Sequence, residues 1–262
     1  MAAVPAHRLS PPGSQRRVAC ARLAGTMCAV AMLALLVLLT GCATTPEPAG
    51  PDGQVVRSLP ETQPIWQFWR FQFARADDGS ARTYLDYLVA DQLLYDAVLA
   101  HQDAIQLWRF HRRWPQDPTG HQLTLRVYAP AYVGREISRS LAENPLIATL
   151  MDQGYLVRWR IDGPQRSAAT DPAATSDLRW SVDVQREWPY FIMGVSRFWA
   201  GLVRAEALAR STTDDLHERY RAVEEAMLAY WRNDARHALL HHLNGIFGYA
   251  PLEYYDGSLL RF

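Results

Sequence analysis

The chain has 262 residues and a formal net charge of zero, with 49% hydrophobic and 11% aromatic residues, a balance that argues for a folded globule and against a disordered chain. Arg8, Arg16, Arg17 and Arg22 stand in a leader without acidic residues, so removing these four from the 27 basic residues leaves 23 against 27 acids, near −4 for the remainder. That remainder gives no support for nucleic-acid binding or for general attraction to anionic membranes. Every basic residue is arginine, which excludes a lysine Schiff base, nucleophile or general base.

The leader comes first in the chain. Residues 16–22 supply a positive segment, and residues 27–39 are thirteen uncharged, mostly apolar residues, long enough for the core of a signal peptide and short of the ~20 needed to span hydrocarbon. Leu39-Thr40-Gly41-Cys42-Ala43 follows. This run resembles the lipobox of bacterial lipoproteins. The resemblance implies that the Cys42 thiol receives a diacylglyceryl group and becomes the mature N-terminus, with enough acyl chain for stable anchoring. It also implies a place in the cell envelope with the folded part facing the periplasm, and Ala43 after the cysteine favours the outer membrane. The competing expectation is an uncleaved single-pass helix, because residues 23–46 carry no charge. Cys20 and Cys28 lie in the leader, so neither an internal disulfide nor a thiolate metal site is expected of the mature chain.

Three segments are thus expected: a signal peptide over 1–41, a flexible tether over 42–64 and one globular domain over 65–262. Residues 65–69 (Ile-Trp-Gln-Phe-Trp) are an aromatic cluster without an assignable element. Residues 84–101 read as a helix, and 105–114 and 121–128 as two strands joined by a Pro/Gly loop. Residues 132–153 read as a helix re-started at Asn144-Pro145 and stopped by Gly154. A third strand follows, with Tyr155, Val157, Trp159 and Ile161 on one face and Arg158, Arg160 and Asp162 on the other. Residues 163–177 read as a loop. Pro189 suits the first position of a helix, Thr212 with Asp215 approximates a capping box, and a further helix covers 236–247. The order predicts an α+β fold: a small antiparallel or mixed sheet of about three strands covered by helices, with a helical C-terminal part.

Three clusters are candidate sites. His237 and His241, spaced i and i+4 with His242 beside them, can bring imidazoles to a metal, but His237 and His241 lie opposite an apolar arc of Leu239, Leu240, Leu243, Ile246 and Phe247, and a solvated polar face accounts for them without a ligand, so no metal is expected. Gly194-Val195-Ser196 resembles the opening of a nucleophile elbow, without its closing glycine and within a helical pattern; Ser196 is expected to bond to a preceding carbonyl. The hairpin gathers His111, Arg112, Arg113 and Trp114 with Asp117 and His121. Arg126, Arg158 and Arg160 are expected on the non-core face of the same sheet, so Arg112, Arg113, Arg126, Arg158 and Arg160 form a candidate anion site. Against this stands the use of charge to guard exposed strands. Trp66, Trp69, Trp188, Trp199 and Trp231 read as core residues.

No cofactor is expected. The leading functional expectation is a non-enzymatic interaction or envelope-maintenance module whose partners are the membrane, through its lipid, and envelope proteins or cell-wall components. The alternative is an envelope hydrolase acting through His111, Asp117 and His121, for which those three groups must converge on one pocket.

Overall fold

The aromatic run beginning at Ile65 is the centre of the sheet. In the computed structural model, which describes residues 60–113, 117–162, 170–249, 251, 257 and 258, β1 (Pro64–Phe73) pairs antiparallel with β3 (Gln122–Pro130) on one side and with β4 (Leu156–Asp162) on the other. β2 (Leu107–Arg112) closes the order β2-β3-β1-β4 as an edge strand. The expected signal peptide, Cys42, the expected tether up to residue 59 and Trp114 lie outside the described residues. The fold is α+β as expected, its antiparallel sheet holding four strands where about three were read. The opening of β1, Ile65–Gln67, is buried on both faces and hides the strand, although Trp69-Arg70-Phe71-Gln72-Phe73 alternates apolar with polar.

One face of β1, with Trp69, Phe71 and Phe73, packs into the main core with Leu123, Leu125 and Val127 of β3. Helices cover this face. The first is continuous from α1 (Tyr84–Val89) through a π-helical stretch (Ala90–Tyr95) to α2 (Asp96–Ala100). α3 (Ala131–Glu143) and α4 (Pro145–Asp152) follow β3. Asn144 divides them as expected, its side chain accepting from the Leu146 N–H at 3.0 Å with Pro145 at the first position of α4. Gly154, at φ +71°, ends α4 in a backbone conformation that side chains disfavour. Trp69 donates its indole N–H to Ser138 Oγ of α3 at 3.0 Å, so a fully buried indole has its hydrogen bond. α3 approaches β1 so closely that a Cβ on Gly134 would lie 1.5 Å from Gln67 Oε1. The buried Gln67 amide in turn donates to the Ala129 carbonyl at 3.2 Å.

The C-terminal part is helical, as expected, but its first helix begins earlier. α5 (Val182–Ala209) starts at a Ser181 cap that accepts from the Val184 N–H at 3.4 Å, and Pro189 lies inside it. A proline in a helix interior orphans the carbonyl four residues back. Here that carbonyl is Gln185 O, and the buried Ser176 hydroxyl donates to it at 2.7 Å. The loop before α5 thus supplies the bond that Pro189 removes. α6 (Leu216–Asn233) is capped by Asp215, which accepts from the His217 and Glu218 N–H groups at 2.7 and 3.0 Å, so Asp215 takes the role expected of Thr212. A π-helical stretch (Arg236–His241) then leads into α7 (His242–Ile246).

α5 lies against the edge strand β2, where Ser196 Oγ accepts the outward Phe110 N–H at 3.1 Å and donates to Ile192 O at 2.8 Å. Among the described residues no helix is long and apolar enough to cross a membrane.

Candidate functional site

α5, α6 and the C-terminal π/α7 segment leave a groove of about 580 Å³ between them. Val195, Phe198, Trp199 and Leu202 line it from α5, Met227, Leu228 and Trp231 from α6, and Ala235, Ala238 and Leu239 from beyond. Helical spacing places Val195, Phe198 and Leu202 on one stripe of α5. Of the groove residues, Trp199 and Trp231 were expected in the core. Instead, Phe198 is 49% exposed, Leu228 46% and Trp231 61%, whereas only Val203, Ala200 and Ala207 of α5 are deeply buried in the core. A groove of this size with large apolar residues open to solvent has the character of a ligand or partner site.

Its floor is polar and fixed. Arg112, at the end of β2, donates from Nε to Asp86 Oδ2 at 2.8 Å and from Nη1 to the Tyr87 hydroxyl at 3.3 Å. The guanidinium carbon stands 4.8 Å from the Tyr87 ring and 5.8 Å from the Trp199 ring, within cation–π range. Burial alone would pull its pKa down, but the Asp86 carboxylate, with Tyr87, more than offsets this and the net shift is upward. Asp86 is itself buried, and its second oxygen takes His121 Nε2 at 3.0 Å. Since an ionised carboxylate only accepts, His121 donates from Nε2. Its buried Nδ1 has no partner among the described residues. Asp86 and Tyr87 were missed in the sequence. The signal for Asp86 was an acid within an otherwise apolar stretch of helix.

The proposed catalytic trio does not converge. His121 faces α1 through Asp86. His111 lies on the opposite face of the sheet, where its neighbours in space are Arg126, Arg109, Arg113 and Arg70. Asp117 is taken up locally, accepting from the Thr119 hydroxyl at 2.6 Å, the Thr119 N–H at 2.8 Å and Arg113 at 3.0 Å, contacts that hold its pKa down at about 2. Strand alternation separates these groups, because His111 and His121 project from opposite sides of the hairpin.

The same alternation divides the arginines. Arg112 belongs to the groove, not to the face that carries Arg126, Arg158 and Arg160. On that second face Arg158 donates to Gln72 Oε1 at 2.8 Å, while Arg70 and Arg160 meet Asp162 at 3.0 and 3.1 Å. Arg126 stacks over Phe68 with its guanidinium 5.4 Å from the ring.

The histidine cluster is real as a cluster. The rings of His237, His241 and His242 lie 5.0–5.5 Å apart between centroids. Among the described residues, however, no group of three or more histidine, cysteine, aspartate or glutamate side chains is placed to hold a metal ion. The apolar arc expected behind them is not buried: Ile246 is 82% exposed and Phe247 75%, and Asn244 faces inward instead. The π-helical turn over Arg236–His241 accounts for the difference, since it advances each residue by less than the 100° on which the arc was drawn.

The chain matches no family model, no curated protein and no solved structure.

Proposed function

We propose that this protein is a lipid-anchored component of the bacterial cell envelope whose folded unit is a binding module for an amphiphile. The acyl chain of that ligand lies in the groove between α5 and α6, and its carboxylate end points toward Arg112. The observation that carries this reading is the groove itself: a largely apolar channel of about 580 Å³ whose charged lining is Asp234 and the Arg112 guanidinium, the latter held by Asp86 and Tyr87. Apolar walls supply the affinity and one oriented polar group supplies the direction, the usual division of labour in small-ligand sites. The guanidinium edge not used by Asp86 is suited to a carboxylate. The anchor rests on the Leu39-Thr40-Gly41-Cys42 lipobox.

Titration with oleic acid tests the site through the fluorescence of Trp199 and Trp231, which line it. Saturable quenching is expected. Leu228→Glu, which sets a charge into a solvent-open wall and spares the core, is expected to weaken binding about tenfold or more, the equivalent of about 1.4 kcal/mol. Oleyl alcohol, lacking the carboxylate, is expected to bind more weakly than oleic acid. Quenching that Leu228→Glu leaves intact would remove the groove from the function. The anchor is tested separately by growing cells on a fatty-acid analogue: wild type is expected to carry the label and Cys42→Ala to lose it, and an unlabelled wild type would end the lipoprotein reading.

A further inference from the structure

The face of the sheet opposite the main core holds a concentration of positive charge that the fold does not neutralise. Arg109 of β2 and Arg126 of β3 are direct cross-strand partners. Arg70 of β1 and Arg160 of β4 are likewise opposite one another. Like charges placed so are destabilising. The Arg70–Arg160 pair is resolved by Asp162, which bonds both, and Arg113 is matched by Asp117. Among the described residues Arg109 and Arg126 have no carboxylate.

Arg109 is 7% exposed. Its Nη2 donates to the Thr175 carbonyl at 2.9 Å, but among the described residues its buried Nε has no partner, and neither has Thr175 Oγ1 beside it. A buried guanidinium N–H left unbonded is rare and is ordinarily satisfied by a water or an ion. His111 lies one residue pair along on the same face, opposite Thr124. Burial, then the guanidinium groups of Arg126, Arg109, Arg113 and Arg70, hold its imidazole down at about 4. It is therefore neutral near pH 7 and offers one ring N–H. Burial, with Arg109, Arg70 and Arg113, also pushes Arg126 down to about 10. Burial is the larger cause for both groups, and the neighbouring guanidinium groups act in the same direction.

We propose that the sheet face carrying Arg109, Arg126 and His111 binds a phosphate oxyanion between the two guanidinium groups. Two neighbouring guanidinium groups and an imidazole N–H match the several acceptor oxygens of a phosphate better than a single carboxylate. Arg109 is fixed in the interior wall. Arg126 and His111 are half-buried and leave the site open on their side. The phosphate is either free in solution or the headgroup of a phospholipid, and the site is independent of the groove, which lies across the sheet.

Thermal unfolding of the soluble folded unit and of Arg126→Gln, with inorganic phosphate against chloride at equal ionic strength, tests this. Phosphate at about 100 times its Kd is expected to raise the wild-type Tm by about 5–10 °C. In Arg126→Gln that increment is expected to vanish, while the variant in phosphate-free buffer melts no lower than wild type because a like-charge contact is gone. Comparing the two proteins in the same buffer cancels the general salting effect of phosphate. Co-sedimentation with phosphatidylglycerol vesicles, lost in Arg126→Gln, identifies a headgroup; a phosphate shift without vesicle binding identifies a soluble ligand. Either result supports the site. A wild type indifferent to both phosphate and vesicles overturns it, as does an increment that Arg126→Gln retains. Unchanged oleic-acid quenching in Arg126→Gln keeps this outcome separate from that of the groove.

Discussion

Asp91→Ala is expected to destabilise the fold by about 3 kcal/mol, read as a fall in the urea midpoint at unchanged slope. Asp91 is buried in the π-helical stretch and binds three elements at once. Arg204 of α5 and the Tyr220 hydroxyl of α6 both donate to its carboxylate, and Gln92 adds a bond at 3.2 Å. Arg204 reaches further, to the Asp91 carbonyl at 3.0 Å and to Asp96 at 2.8 Å. Burial and the adjacent Asp91 raise the Tyr220 pKa, so the phenol stays a proton donor to that carboxylate. Removing Asp91 strands a phenol inside the core and a guanidinium near its edge. The lower end of the range for breaking a buried ion pair applies, because Arg204 keeps partial contact with water. A loss under about 1 kcal/mol would show that the contacts between α1, α5 and α6 are carried by apolar packing alone.

The second large effect is on pH. His111 has a folded pKa of about 4, below the ordinary value of 6.5. As pH falls through 6.5 the unfolded chain takes up this proton first, so the stability contributed by a neutral His111 is complete above 6.5 and is lost progressively on the way to 4. After discounting for its partial exposure, the loss is on the order of 2 kcal/mol. His111→Gln, which cannot take the proton, is expected to lose that much less than wild type over the same interval. Parallel curves for the two proteins would mean that neither burial nor the surrounding guanidinium groups hold the imidazole neutral.

The sequence made some of this legible for identifiable reasons. The hairpin β2–β3 was readable because Leu123, Leu125 and Val127 alternate with polar residues, and the restart at Asn144-Pro145 because a cap and a proline are local devices. Ser196 also met expectation: its hydroxyl bonds back to Ile192. Pro189 misled because its compensation, the Ser176 hydroxyl, lies thirteen residues away and belongs to tertiary structure. β4 was read as half-buried by its alternation, yet Val157 and Ile161 are exposed because an edge strand runs beyond the cover of α4. The groove was invisible for a related reason. An apolar stripe on α5 does not say whether another element arrives to cover it, and here α6 and α7 stop short.

The bond between Ser196 and Phe110 reaches beyond local satisfaction. β2 is an outer strand, and a free amide row there would invite a strand from another copy of the chain. α5 lies along it and its serine takes up one of those amides, so recruitment of further strands is shut off on that flank. Polymerisation would have to proceed from β4, where an incoming strand meets Arg158 and Arg160 alternating with Val157 and Ile161. One margin of the sheet is guarded by a helix and the other by charge.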